Sequence, residues 1–540
     1  MSNGVQKEMK MRRISSLIAA LTISTGLVSP LSAADIPDEQ WIPTIAASEI
    51  GDEYQGLLIQ ENAQIAKKFS FLDCSGSSPR PCFSLNDDYV KYYPELSPSF
   101  EAILPRCKDD NEKNCIVGIS AISPDGKVQK GNYVRNIHEL SEFYVSASPE
   151  RNFPAGETPS LWKIPGVLNG AGTDEYVVRF TIRGTILSSA DKYCPSCTNF
   201  KGYSAVINPV SIKKGNYASV WRWQNENREE TRYCAAIEDN ACALNEAFSG
   251  GYRFKLDVRL GASPTGWIHG RLKDPTVQLN KFADFTQISV EGEPVVVPVI
   301  GLIKAKSSLP LKIRSLYEGK VLQDRYDVQG KSVQVSSPEP DGEGSFYEYE
   351  LWKDLISDRA TASPTVWSYR SLTIPFSTAE CFKDTSKFVG VVTTNAMMYA
   401  GGPPVFNTKE GTLEYKVGSP HLTSKGEVFK GTYNLQLSSE TARCLYKFTS
   451  APIQASISIV NESGEKSVAT TTVNETDGWL RMAAYGFTFS NPTVKVKLTQ
   501  DNKASSTVAG NKSSITCVKG KTTKKVTAIN PKCPTGYKKK

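Results

Sequence analysis

Trp221 and Trp223 stand on either side of Arg222. At a spacing of two on a strand, both rings point to one side. Exposed, they form a stacking platform for sugar rings; buried, they are core. Cys194-Pro-Ser-Cys197 has the spacing of a thiol redox pair. That chemistry wants its first thiol at a helix N-terminus, where the thiolate is stabilised. Gly202 arrives too soon after it for a good helix, so a structural clip between Cys194 and Cys197 is expected. Zinc needs four ligands, and no second close pair or histidine lies nearby in sequence.

Histidine is scarce. His138, His269 and His421 lie in three separate segments, none beside a Gly-x-Ser-x-Gly elbow or a His-Glu-x-x-His pattern. A nucleophilic triad therefore has little to build on. Glycoside hydrolysis needs only two carboxylates. In Tyr347-Glu-Tyr-Glu350 an extended reading places Glu348 and Glu350 on one face and Tyr347 and Tyr349 on the other. A solvated strand face has the same pattern. The acidic run 109–114 offers oxygen ligands for calcium but lacks the glycine and terminal glutamate of an EF-hand, so a polar hairpin tip is expected. Nothing in the sequence calls for a cofactor or a metal.

Twelve cysteines, an even number, suit an oxidising compartment. Cys74/Cys82, Cys107/Cys115 and Cys234/Cys242 repeat one Cys-x7-Cys spacing and read as local clips. Each would contribute about 2.5 kcal/mol by chain entropy. The simplest pairing then joins Cys381 to Cys444 across a long loop, and Cys517 to Cys533 in the tail. The first residues agree. Lys7, Lys10, Arg12 and Arg13 precede an apolar run from Ile14 to Val28, followed by Ser32-Ala33-Ala34. That is the pattern of a secretory signal peptide cut after Ala34, with no later stretch apolar enough to span a membrane.

Charge is unevenly placed. Residues 1–34 carry +3, and residues 501–540, with ten lysines and Asp501, carry +9; the chain's +7 thus leaves −5 on residues 35–500. The basic tail has a single aromatic, Tyr537, and no stacking series, which argues against nucleic acid.

The elements that must position these groups read as strands. Glu175–Arg183, Tyr252–Leu260, Phe388–Thr394 and Gln454–Val460 alternate apolar and polar residues between Gly, Pro, Asn and Asp punctuation. Helices are expected only near Glu53 to Lys68 and Glu350 to Asp358. The chain divides into a signal segment 1–34, a mixed cysteine-clipped region 35–120, a β-sandwich 121–305, a connecting region 306–380, a second β-sandwich 381–500 and a disulfide-tied tail 501–540. Gly266-Trp267 and Gly478-Trp479 each lead, after an apolar step, to Pro-Thr-Val and an alternating strand, as a duplicated sandwich would.

Ala442-Arg-Cys-Leu-Tyr446, Ala469-Thr-Thr-Thr472, Gly478-Trp479, Gly486-Phe-Thr-Phe-Ser490 and Pro492-Thr-Val494 resemble a recurring module of large exported actinobacterial proteins. The closing Thr-Cys-Val-Lys-Gly-Lys and Pro-Lys-Cys-Pro-Thr-Gly-Tyr-Lys strings resemble a C-terminal tail shared by many such proteins. The resemblance implies export and a surface role, and it transfers no catalytic residue.

The expectation is an all-β protein of two or more sandwich or jelly-roll-like, Ig-like domains with a small stapled C-terminal hairpin. Its expected role is that of a secreted, cell-surface structural or adhesion protein without a catalytic site, its basic tail contacting an anionic wall polymer or other surface glycan. The alternative is an extracellular glycan-binding protein or a carboxylate-dependent carbohydrate-active enzyme.

Overall fold

The computed structural model describes residues 71–73, 81–82, 99–137, 146–148, 152–186, 198–215, 234–238, 241–262, 266–305, 309–318, 327–328, 332–336, 345–362, 365–372, 380–382, 387–423, 425–460, 466–467, 470–489, 492–500, 513–528 and 531–540. The signal segment, the helix expected near Glu53 to Lys68, Cys74, Cys194, Cys197, Trp221, Trp223 and His138 lie outside these residues.

The protein is all-β. In chain order, the strands that build the first half are β1 Ser99–Ile103, β2 Cys115–Ile122, β3 Val128–Lys130, β4 Glu175–Ile186 and β5 Thr198–Lys214. They continue with β6 Arg253–Leu260, β7 Gly266–Arg271, β8 Lys273–Lys281, β9 Thr286–Glu293 and β10 Trp367–Leu372. The second half adds β11 Phe388–Thr394, β12 Thr412–Gly418, β13 Lys430–Ser438, β14 Ile453–Val460, β15 Thr470–Thr476, β16 Trp479–Thr488 and β17 Thr493–Gln500. The tail holds β18 Ser513–Lys519, β19 Thr522–Ala528 and β20 Lys538–Lys539. Among the described residues the α-helices are short: α1 Leu311–Glu318, α2 Ser345–Trp352 and α3 Ser439–Tyr446. No helix of the described residues is long and apolar enough to cross a membrane.

One fifteen-stranded sheet runs through both halves, in the order β1-β4-β5-β10-β7-β11-β13-β16-β15 along its main path. A five-stranded sheet, β8-β9-β6-β2-β3, packs over its first part, and a six-stranded sheet containing β12, β17 and β14 packs over its second. The two sandwiches use opposite faces of the shared sheet. The changeover is visible within single strands, because successive residues of a strand point to opposite faces. In β7, Trp267 belongs to the second core and Ile268 to the first. In β11, Val392 belongs to the second and Val391 to the first. These two strands pair in parallel, whereas β7 pairs with β10 antiparallel.

Close approach at this junction requires glycine. A Cβ on Gly390 would come 2.3 Å from the Trp267 ring and 2.5 Å from the Gln436 carbonyl oxygen. The two Gly-Trp segments follow the same local course. Gly266 and Gly478 both have φ of 76°; Gly266 opens β7 and Gly478 immediately precedes β16, and each of these strands of the shared sheet hands over to the Pro-Thr-Val strand of a covering sheet, β8 or β17.

The segment from Ser345 to Trp352 corrects one expectation. It is a helix, so Glu348 and Glu350 sit about 200° apart around its axis and form no same-face pair. Tyr349 and Trp352, three apart and therefore on one side, are buried in the second core. Burial of that aromatic face selects the helix over the strand.

Four of the six expected disulfides lie within the described residues: Cys107–Cys115, Cys234–Cys242, Cys381–Cys444 and Cys517–Cys533. Of the first pair, Cys82 ends a two-residue strand, Pro81–Cys82, whose side chains are not among those described. Such a set is compatible with an extracellular protein.

Candidate functional site

The five-stranded sheet buries Phe254, Leu256 and Val258 of β6 on one side and turns Lys255 and Asp257 outward. Cross-strand register extends this alternation into polar rows. Thr276 of β8 pairs with Glu291 of β9, Glu291 with Lys255 of β6, Lys255 with Ser120 of β2, and Ser120 with Lys130 of β3. The next row runs Gln278, Ser289, Asp257, Gly118. Paired residues share a face, so these side chains meet on the outer surface. They line a groove of about 480 Å³, whose wall at β3 is completed by Ile122 and Val128.

Two carboxylates stand in the groove, and both are committed to neighbours. Lys255 Nζ lies 3.0 Å from Asp257, which also accepts a hydrogen bond from the Ser289 hydroxyl. Arg253 Nε donates to Glu291 at 2.6 Å and its guanidinium also reaches Asp274 at 3.0 Å. Lys273 pairs with Glu293 at 2.7 Å beside them. The other donors are not so engaged. Among the described residues, Lys130 has no ion-pair partner, and the side chains of Ser120, Thr276 and Gln278 make no hydrogen bond to protein. Ser120 is only 7% exposed, so its hydroxyl opens on the floor of the groove rather than on bulk solvent. No aromatic ring, histidine or cysteine lines it.

Of the three histidines, His269 and His421 are among the described residues, and they lie apart in the structure with separate partners. His269 is fully buried on the face of β7 that the second sandwich covers. Its Nδ1 lies 2.9 Å from the Tyr399 hydroxyl. Arg271, two residues on and also fully buried, donates to the carbonyls of Thr394, Ala396 and Met397 and lies 4.7 Å over the Tyr399 ring. This polar cluster fastens the 394–397 turn inside the second core. His421 Nδ1 lies 2.7 Å from the Phe489 carbonyl oxygen. Burial pushes the Tyr203, Tyr369 and Tyr433 phenols well above their ordinary range, so these hydroxyls stay protonated in the core.

The acidic run 109–114 is a polar loop clipped by Cys107–Cys115 and not the expected hairpin tip, because the bridge that closes it, Arg106 with Ile116, is parallel. Asn111 N–H donates to Asp109, and the Arg259 guanidinium reaches the Asp109 carbonyl at 2.8 Å. Among the described residues no group of three or more His, Cys, Asp or Glu side chains is gathered as metal ligands would be. Of the described tryptophans, Trp162, Trp267, Trp352 and Trp367 are core, and Trp479 is half-buried against Phe388.

The tail forms a three-stranded sheet in the order β19-β18-β20, stapled by Cys517–Cys533. Gly520, at φ of 59°, supplies the first position of the two-residue β18–β19 turn. Cys517 is registered with Lys524 and Lys539, and Lys519 lies two residues along, so these three lysines share one face. Lys525, registered with Thr516, and Lys538, registered with Val518, share the other with Lys540. All eight lysines of residues 513–540 are exposed, and this stretch contains no acidic residue.

Sequence reasoning named the tail and missed the groove. The signal that could have found it was the outward set Lys255, Asp257, Ser289 and Glu291 in two alternating strands; the register that aligns them is a tertiary property. Comparison with protein-family models, with curated proteins and with solved structures finds no match to this chain.

Proposed function

We propose that this chain is an exported cell-surface protein of structural or adhesion type, whose stapled basic tail binds an anionic wall polymer. One observation carries the reading: the tail sheet presents lysines from both faces, with no acidic residue among them. A small sheet that is cationic all round has no apolar face to dock on a protein core. It gains most by lying against a dense line of negative charge. The body supports a non-catalytic role, because its described aromatic rings largely fill two cores and its groove carboxylates are held in ion pairs.

The two-carboxylate enzyme reading has less behind it. Glu348 and Glu350 lie on a helix, and Asp257 and Glu291 are occupied by Lys255 and Arg253.

The test is wall retention of the full chain carrying Lys519, Lys524, Lys525, Lys538 and Lys539 all replaced by Gln. Cell fractionation should find the variant in the medium and the wild type on the wall. Equal retention of the two would sink the proposal.

A further inference from the structure

The outer N–H and C=O groups of an edge strand are open to another chain, and proteins guard such edges with short strands, lysines, prolines or bulges. Several edges of this protein are guarded in that way. The fifteen-stranded sheet begins with the two-residue strand Pro81–Cys82. In the five-stranded sheet, β3 has three residues, and β8 carries Pro275 and a register shift between Lys273 and Thr276. At the far end of the fifteen-stranded sheet, β15 has none of these devices. It is seven residues long, Thr-Thr-Thr-Val-Asn-Glu-Thr, and pairs with β16 in unbroken register. Among the described residues no strand pairs with its outer side, and Thr471 to Asn474 are exposed. The two-residue turn makes Thr476 and Trp479 its closing hydrogen-bonded pair, so Asn474 and Thr472 also bond to β16. The backbone groups of Thr471, Val473 and Glu475 therefore point away from the sheet.

We infer that β15 is a dimer interface, pairing antiparallel with β15 of a second copy of this chain about a two-fold axis at Val473. In that register the strand is its own complement. Val473 meets the partner's Val473, Thr471 meets the partner's Glu475, and Thr472 meets the partner's Asn474. Glu475 is the one charged residue of the strand, and it never opposes itself. Arg443 already answers its carboxylate at 2.8 Å. An unrelated peptide would need pockets that select its alternate side chains, and the exposed Thr471 and Thr472 offer it none. Two-fold pairing also consumes the same edge in both copies, so association stops at a dimer and does not run on into a fibre. The contact is small, about six main-chain hydrogen bonds, and a dissociation constant of about 10–100 µM is expected.

The test uses the full chain with its disulfides intact, in about 0.15 M salt so that long-range charge effects of the tail are damped. Sedimentation equilibrium from about 1 to 500 µM should show a reversible monomer–dimer equilibrium and nothing larger. A residue on the two-fold axis meets its own copy, which gives the register a distinctive signature. Val473→Lys alone and Val473→Glu alone should each weaken dimerisation about tenfold or more, because like charges then face one another. An equimolar mixture of the two should dimerise again, at least as tightly as wild type. That recovery distinguishes a lost interface from a damaged fold. As a second measurement, Val473→Cys should oxidise to a covalent dimer, whereas Thr472→Cys, which faces the partner's Asn474, should not. A chain with the tail lysines replaced by Gln should dimerise as wild type does, so this interface is independent of the tail. A monomer throughout the concentration range overturns the inference. So does a dimer that survives either single charge, or a mixture that stays monomeric.

Discussion

Arg443 of α3 donates to Glu475 of β15 at 2.8 Å, and the other oxygen of that carboxylate accepts the backbone N–H of Ile453 at the start of β14. One side-chain pair thus ties the helix to a strand of the shared sheet and to the covering sheet above it. The Arg443 guanidinium also reaches the carbonyls of Thr449 and Ala451. The arginine of the Ala-Arg-Cys-Leu-Tyr string is accordingly a structural clasp.

The clasp makes the second sandwich acid-sensitive. The hydrogen bond from Arg443 is the main cause holding Glu475 below the ordinary glutamate value of 4.5. A carboxylate depressed in the folded state stabilises fully above its unfolded value and loses that contribution as pH falls through the folded one. Glu475→Gln should cost about 1–2 kcal/mol at neutral pH, a cost that shrinks as pH falls below 4.5 and through the folded-state value, read by denaturant unfolding at neutral and at acid pH. An equal cost at both would mean that the charge contributes nothing.

The same helix carries Cys444, bonded to Cys381 at a sequence separation of 63 residues. Loop entropy predicts that replacing both cysteines by Ala destabilises the second sandwich by about 4 kcal/mol, against about 2.5 kcal/mol for the short Cys107–Cys115 clip. Limited proteolysis of the two variants should cut the second sandwich first in the former. Equal protection would place the stabilisation elsewhere.

Much of the fold was legible because it is local. The alternation in Arg253–Leu260 gives a half-buried strand, and Asp477-Gly478, with φ of 54° and 76°, is the two-residue hairpin turn its sequence advertises. The tail hairpin and its staple were equally plain, since a lysine-rich segment without a core needs a covalent tie. What could not be read is which face of a strand a distant segment covers. His269 and Arg481 occupy matching places after their Gly-Trp pairs, yet His269 is sealed because the second sandwich lies over that face of β7. Tyr347-Glu-Tyr-Glu350 has period two on paper, and burial of Tyr349 with Trp352 overrides it. The groove depends on register across five strands, which no single strand encodes.

The junction between the sandwiches should be intolerant of one methyl group. A Cβ at Gly390 collides with the Trp267 ring and a sheet carbonyl, neither of which can move without disturbing both cores. Gly390→Ala should therefore cost about 2–3 kcal/mol and shift tryptophan fluorescence. Gly486 sits at φ of 79° with open space around its missing side chain. Gly486→Ala pays only the backbone term, about 1–2 kcal/mol, and should leave the fluorescence unchanged. Matching losses and matching spectra would refute the steric account of Gly390.

The tail makes a prediction that turns on geometry as well as charge. A polycation releases counterions from its partner, so its affinity for a polyanion falls with salt, more steeply the more lysines engage. If the polymer wraps the small sheet, both faces contribute. Replacing Lys519, Lys524 and Lys539 by Gln neutralises one face, and replacing Lys525, Lys538 and Lys540 neutralises the other. Each triple variant should lower the slope of log affinity against log salt for a synthetic polyphosphate by about 2 to 3. Wrapping predicts similar losses from the two. A loss confined to one set would show a flat, one-sided contact, and the staple would then serve to hold that face open.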